Sequence, residues 1–226
     1  MCGRFTLTAD PATLHAEFGI RGLPFDYRAR FNIAPTQPVI GLVDGEDGWV
    51  AADFFWGAAP GAPGGARHIN ARAETVARLP SFRSSFRSRR CLVLADGFYE
   101  WRTDNGRRIP MYIRRIDARP FAFAGLWNES VQQDGTSQFT CTIITTQPND
   151  LMRPIHDRMP VILPAREYDR WLDRGTTPDA LQQLLVPAES PAFEAFPVST
   201  LVNSPRNDEP ACVVPADPGN FRPPGT

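Results

Sequence analysis

The residues best equipped for covalent chemistry stand at the start of the chain, in Met1-Cys2-Gly3. Initiator methionine is normally trimmed ahead of a small side chain, so the mature chain is expected to begin at Cys2. That leaves an α-amine and a thiol on adjacent carbons. Such a 1,2-aminothiol condenses with an aldehyde to a Schiff base, which the sulfur then closes into a thiazolidine ring. At ordinary values of about 7.7–8.0 for an α-amine and about 8.5 for a thiol, both groups are partly reactive near neutrality. All 24 positions that carry Lys or Arg are Arg. Schiff-base chemistry needs a nucleophilic amine, and guanidinium is too basic to serve. The N-terminus is therefore the only aliphatic amine in the sequence. Taken alone, a second-position Cys is a weak motif, and codon bias also explains an Arg-for-Lys exchange.

Three further polar groups interrupt apolar surroundings. Glu100 lies in Ala95-Asp96-Gly97-Phe98-Tyr99-Glu100-Trp101. It is either exposed on an alternating strand or sits in a pocket with a raised pKa suited to proton transfer. The rarity of buried carboxylates favours exposure. His156, in Ile155-His156-Asp157-Arg158-Met159-Pro160, is a structural histidine or a proton shuttle. Asn70 with Arg72 offers an amide and a guanidinium that could orient a sugar or phosphate, whereas an Asn at a loop–helix junction is equally a cap.

The elements that must position these groups read as one α+β domain. It is built on a curved, mainly antiparallel sheet with barrel-like closure and short flanking helices, over residues 1–214, followed by a Pro/Gly-rich tail at 215–226. Strands are expected at Gly3–Thr8, Pro38–Val43, Trp49–Trp56, Cys91–Ala95, Phe98–Trp101, Pro110–Arg114, Phe121–Leu126, Gln138–Thr146 and Met159–Leu163. Asp44–Gly48 and Asp104-Asn105-Gly106 are their turns. Helices are expected after the Asp10 N-cap with Leu14 and Phe18 on one face, to about Leu79 where His68–Glu74 leads in, at Ala165–Leu172, and at Pro178–Leu185 behind the Thr177 cap. Arg28–Pro35 reads as an extended loop, and Gly57–Gly65 as a long surface loop.

Composition narrows the partner. The net charge is −1, yet from Arg67 to Arg119 there are 13 Arg against five acids (Glu74, Asp96, Glu100, Asp104, Asp117), enough for a basic face. Cys2, Cys91, Cys141 and Cys212 show no metal-ligand spacing. No signal peptide or membrane span is read, so a reduced cytoplasmic protein without metal or cofactor is expected.

Five motifs occur in order: Met1-Cys2-Gly3-Arg4-Phe5, Phe31-Asn32-Ile33-Ala34-Pro35, Ile69-Asn70-Ala71-Arg72-Ala73-Glu74-Thr75, Ala95–Trp101 and Ile155–Pro160. Together they resemble the SRAP family (SOS response-associated peptidase), the abasic-site processing proteins, from residue 2 to about residue 200. The resemblance implies binding, as a monomer, to single-stranded DNA that contains an abasic site, whose deoxyribose opens to an aldehyde. It implies a stable thiazolidine crosslink through Cys2 that shields the lesion, and autoproteolytic trimming of the N-terminal residue. Carried over by position, Glu100 matches the proton-transfer carboxylate, His156 the histidine that assists Schiff-base and ring-opening steps, and Asn70 the amide holding the opened sugar. Arg4, Arg72 and Arg158 match positions that grip flanking phosphates. Asn32 and Pro35 belong to the DNA-binding motif whose loop blocks continued duplex stacking. One departure is that the Trp the family carries after Trp-Gly-x-x-Pro-Gly is missing from Trp56–Gly65. Phe82 and Phe86 are candidate replacements for stacking bases, with core packing the stronger reading for Phe82.

Two other functions remain open on the residues alone. An N-terminal-nucleophile hydrolase or cysteine peptidase would use Cys2 with His156 or the α-amine as base. A non-catalytic single-strand binder would need only the Arg-rich face.

Overall fold

The computed structural model describes residues 2–20, 22–23, 27–58, 68–131 and 136–216. In chain order the elements are β1 (Phe5–Leu7), α1 (Pro11–Phe18), β2 (Arg30–Ile33), β3 (Pro38–Gly45), β4 (Gly48–Trp56), β5 (Asn70–Arg72), α2 (Arg83–Ser88), β6 (Arg90–Ala95), β7 (Gly97–Asp104) and β8 (Arg107–Arg115). They continue with β9 (Phe121–Val131), β10 (Ser137–Thr146), β11 (Met159–Pro160), β12 (Ile162–Leu163), α3 (Tyr168–Leu172), α4 (Pro178–Gln182) and β13 (Phe193–Pro197). Strands β10, β4, β3, β6 and β9 pair in that order, and β9 pairs back onto β10, closing a five-stranded barrel. A second sheet, ordered β13-β8-β7-β1-β2, lies against it. The expected α+β architecture with barrel closure is what the chain adopts.

Local chemistry explains most boundaries. Asp10 Oδ1 accepts the Thr13 N–H at 2.7 Å, and Gly19 ends α1 in the left-handed region at φ 64°, leaving Leu14 and Phe18 buried. Asn105 and Gly106, both at positive φ, form the two-residue turn between β7 and β8. Strands β3 and β4 pair as far as Gly45 and Gly48, so their turn is two residues rather than the five of Asp44–Gly48.

Elsewhere the structure differs from expectation. The Arg28–Pro35 segment is not all loop, because Arg30–Ile33 is an edge strand paired with β1. The helix expected to Leu79 is a strand followed by turns. Asn70–Arg72 pairs in parallel with Ile143–Thr145 of β10. A single helical turn begins where Thr75 and Val76 N–H both reach Arg72 O, and Gln182 Nε2 takes the Ala73 carbonyl at 2.9 Å. A strand also forms at Phe193–Pro197, against β8. Phe86 is fully buried beside Trp171, and Phe82 is buried against His68, so both are core residues rather than stacking platforms.

The short strand β1 carries the N-terminus into the molecule's centre. Phe5 pairs with Phe98 of β7 and packs edge-on against Trp56 and Phe123, with ring centroids 5.1 and 5.6 Å away. Burying a side chain of this size contributes about 2–3 kcal/mol. Asp96 fastens the other end. Its Oδ2 accepts from Thr8 N, from Thr8 Oγ1 at 2.7 Å and from Ala9 N at 2.9 Å, and its Oδ1 accepts from Thr6 Oγ1 at 2.5 Å.

Gly97 is required by a close approach. A Cβ there would lie 2.1 Å from Tyr112 Oη, and that hydroxyl is itself 2.8 Å from Thr6 Oγ1, while its ring packs on Tyr99 and Phe196. Gly97→Ala is expected to cost about 1–3 kcal/mol by overpacking. A urea melt checks this, and an unchanged midpoint would mean that Tyr112 swings aside freely.

Candidate active site

Cys2 is fully buried, three residues ahead of Phe5 on the path set by β1. The Tyr99 N–H donates to Arg4 O at 2.9 Å, so residues before Phe5 run back along β7 toward Glu100. Burial pushes the Cys2 thiol far above its ordinary range, and the Glu100 charge adds to the rise. The thiol is therefore neutral at physiological pH, not partly ionised as an ordinary value of about 8.5 implies.

Glu100 is 2% exposed. The expectation of an exposed carboxylate is overturned, because β7 alternates Phe98 and Glu100 into the interior. Burial raises its carboxyl above the ordinary range, partly offset by the positive amino terminus and by His156. His156 Nε2 lies 3.8 Å from Glu100 Oε2. The histidine is delivered by a turn in which Asn149 Oδ1 accepts the Met152 N–H and His156 N–H reaches Met152 O, with Met152 and Ile155 buried beneath it. Arg158 N–H donates to His156 Nδ1 at 3.0 Å, a contact that matches the tautomer with its proton on Nε2, the nitrogen facing Glu100. Asp157 Oδ1 lies 2.9 Å from the same Nδ1.

Asn70 stands on β5 rather than capping a helix. Its Nδ2 donates to Ile143 O at 3.4 Å, and its buried Oδ1 has no hydrogen-bond partner among the described residues. Arg72, two residues on, has an exposed side chain. Arg158 makes a bidentate pair with Glu74 at 2.6 and 3.0 Å and donates to Thr145 O at 2.6 Å, which joins the turn after β5, the end of β10 and the His156 loop.

The two N-terminal motif residues are held by the far end of the chain. Arg4 Nη1 donates to Asn32 Oδ1 at 2.6 Å and to Val202 O at 2.7 Å. Asn32 is wholly buried, and its Nδ2 reaches Ser204 O at 3.0 Å and Asn207 O at 2.7 Å. Asp208 accepts from Phe31 N at 2.6 Å and Asn32 N at 3.0 Å, and pairs with Arg30. Nothing in the motifs marks Asp208 as a support, since its partners are 176 and 177 positions away. Pro35 opens a turn whose next residue, Thr36, holds φ 73°, which is rare for a β-branched side chain. The segment after Gly57 in which the family's Trp is missing lies at 59–67, outside the described residues.

The site thus gathers a buried cysteine, a buried carboxyl and a histidine, on a barrel flanked by a second sheet. The sequence model of the family described as SOS response associated peptidase (SRAP) matches residues 1–205, and the chain belongs to that family. The abasic site processing protein YoqW of Bacillus subtilis (strain 168) is 42% identical over 221 residues, spanning 94% of this chain and 99% of that protein. The abasic site processing protein YedK of Escherichia coli (strain K12) is 29% identical over 214 residues, spanning 92% and 96% respectively. A crystal structure of a protein from Bacteroides thetaiotaomicron shares the fold with TM-score 0.84 at 26% identity, over 95% of this chain and all of the other.

Proposed function

We propose that this chain captures abasic sites in single-stranded DNA as a covalent thiazolidine at Cys2, once Met1 is removed. The observation that carries the reading is the buried Cys2 beside a buried carboxyl whose other neighbour is His156. The α-amine adds to the C1′ aldehyde of the opened sugar. Glu100, whose carboxyl burial raises above the ordinary range, in its acid form gives its proton to the carbinolamine hydroxyl, water leaves, and an iminium forms. The neutral thiol then loses its proton to the Glu100 carboxylate as the sulfur–C1′ bond forms. The net change is one aldehyde and one aminothiol converted to a thiazolidine and water, with Glu100 regenerated in its acid form.

His156 Nε2–H protonates the ring oxygen as the sugar opens. The unpartnered Asn70 Oδ1 suits the hydroxyl so released, because a buried acceptor without a donor costs about 1–3 kcal/mol until one arrives. Arg72 is the exposed guanidinium for a flanking phosphate. Arg4 and Arg158 present their remaining N–H groups from positions fixed by Asn32 and Glu74, and the Pro35-Thr36 turn projects against the next base pair.

A denaturing gel with single-stranded DNA carrying one abasic site tests this reading. Wild type is expected to give a crosslink stable without reductant, whereas Cys2→Ala leaves only an imine that needs borohydride to be seen. Equal stable crosslink from both proteins would sink the proposal. Intact mass of the same samples reports Met1 removal and an adduct that has lost one water.

A further inference from the structure

Beside the reactive groups lies an open cleft of about 560 Å³, lined by Trp101, Arg108, Arg153, Pro154 and His156 among others. That volume falls within the range of ligand sites, roughly 300–1,000 Å³. His156 lines the cleft and also faces the buried Glu100, so the cleft reaches the histidine side of the proton-transfer pair. The Trp101 ring is only partly covered. Its Nε1–H donates to Asn203 Oδ1 at 2.8 Å, and the guanidinium carbons of Arg4 and Arg108 lie 5.8 and 6.0 Å from its centroid. Arg153 is 70% exposed and pairs with a still more exposed Asp150 at 3.2 Å. Such pairs contribute little and exchange readily for phosphate. Asp157 is the other acid at the cleft, exposed and next to His156.

We propose that this cleft holds the strand flanking the lesion, and that its guanidinium-only lining grips an aldehyde-bearing strand without attacking it. The inference rests on the capture reading above. A lysine at the cleft would supply the same charge but also an amine. That amine would condense with C1′, expelling water. Loss of the C2′ proton to a base would then send the C3′–O bonding pair out with the phosphate, breaking the strand. Arginine cannot begin this sequence, and the chain has no lysine at all. The N-terminal amine is left as the single electrophile trap, and the strand stays whole.

Two sets of variants test the cleft. Arg108→Ala and Arg153→Ala are each expected to weaken binding of undamaged single-stranded DNA several-fold and to lower the salt slope by about 0.7. In a Cys2→Ala background, where no thiazolidine can form, Arg108→Lys and Arg153→Lys are treated with abasic single strand and borohydride, then digested for peptide mapping. We expect trapped DNA at position 108 or 153 as well as at the N-terminus, and strand breaks that increase about tenfold per pH unit below a lysine pKa of about 10.4. Arg170→Lys on α3, which lines no part of the cleft, should trap only at the N-terminus. Unchanged binding by both Ala variants, with no trapping at either position, overturns the proposal. Weakened binding without trapping or breaks overturns the part concerning guanidinium. If wild type forms no adduct at Cys2 while the cleft variants behave as expected, the capture reading fails and the strand cleft stands.

Discussion

Glu100→Gln is expected to slow crosslink formation by about 10²–10⁴ while leaving the affinity for undamaged single strand unchanged. The size follows from removing a positioned proton carrier from both the dehydration and the ring closure. Both steps need it here. The thiol, raised chiefly by burial, does not ionise unaided at neutral pH, and the carboxyl, also raised by burial, is the acid proposed for the leaving hydroxyl, with His156 3.8 Å from it. A glutamine keeps the shape and loses the proton traffic. Stability should move the other way. Because the folded pKa of Glu100 is raised, the folded state binds more protons than the unfolded state between about pH 4.5 and the folded value. Stability therefore falls as pH rises through that window. Gln escapes this penalty, so its melting temperature at pH 7.5 should equal or exceed that of wild type. Single-turnover crosslinking rates across pH 5–9, with melting curves of the same samples, check both halves. A variant that crosslinks at the wild-type rate would assign the proton steps to His156 alone, and a variant that unfolds would make Glu100 structural.

The motif around Glu100 shows what a sequence discloses and what it withholds. The period-2 pattern of Phe98–Trp101 reveals a strand, yet it leaves the face of Glu100 undecided, because burial of a carboxylate depends on partners from distant parts of the chain. Cys2 and His156 are those partners, 98 and 56 positions away in sequence. The roles of the surrounding residues became clear only with the second sheet in place: Gly97 makes room for Tyr112, Phe98 packs on Phe123, and the Tyr99 hydroxyl donates to Phe31 O at 2.7 Å. The strands that escaped notice, β2 and β13, are the two edges of that sheet. Edge strands tolerate Pro and need no apolar alternation, so Pro35 and Pro197 masked them. The helix expected to about Leu79, with His68–Glu74 leading in, is absent for a related reason. Parallel pairing of Asn70–Arg72 with β10 satisfies its backbone better than local turns could, and no window of sequence contains that partner. The reactive residues were legible as types in context. The second layer of supports, Glu74 under Arg158 and Asp208 under Asn32, was not, because such pairs carry no local spacing rule.

Asp96→Ala is expected to loosen the N-terminal strand and, with it, the position of Cys2. The carboxylate gathers two backbone N–H groups, Thr8 and Ala9, and two hydroxyls, Thr6 and Thr8, around one 7%-exposed side chain. Alanine leaves those donors facing a void. A buried donor without an acceptor costs about 1–3 kcal/mol, and the hydroxyls can turn elsewhere while Thr8 and Ala9 are half-buried and within reach of water. A net loss of roughly 3 kcal/mol is therefore expected, which for a chain of this length lowers Tm by about 6–12 °C. The functional consequence is separable from global unfolding. A short strand, Phe5–Leu7, and the Tyr99 N–H to Arg4 O bond hold the reactive terminus in register with β7, and misplacement of a reacting group by about 1 Å can cost on the order of 10²-fold in rate. Crosslinking measured at 15 °C, well below the midpoint, should thus fall more than tenfold in Asp96→Ala. Asp96→Asn, which keeps one acceptor oxygen, should lie between it and wild type in both Tm and rate. If Asp96→Ala melts early but crosslinks at the full rate at 15 °C, Phe5 between Trp56 and Phe123 suffices to place Cys2, and the carboxylate serves the fold alone.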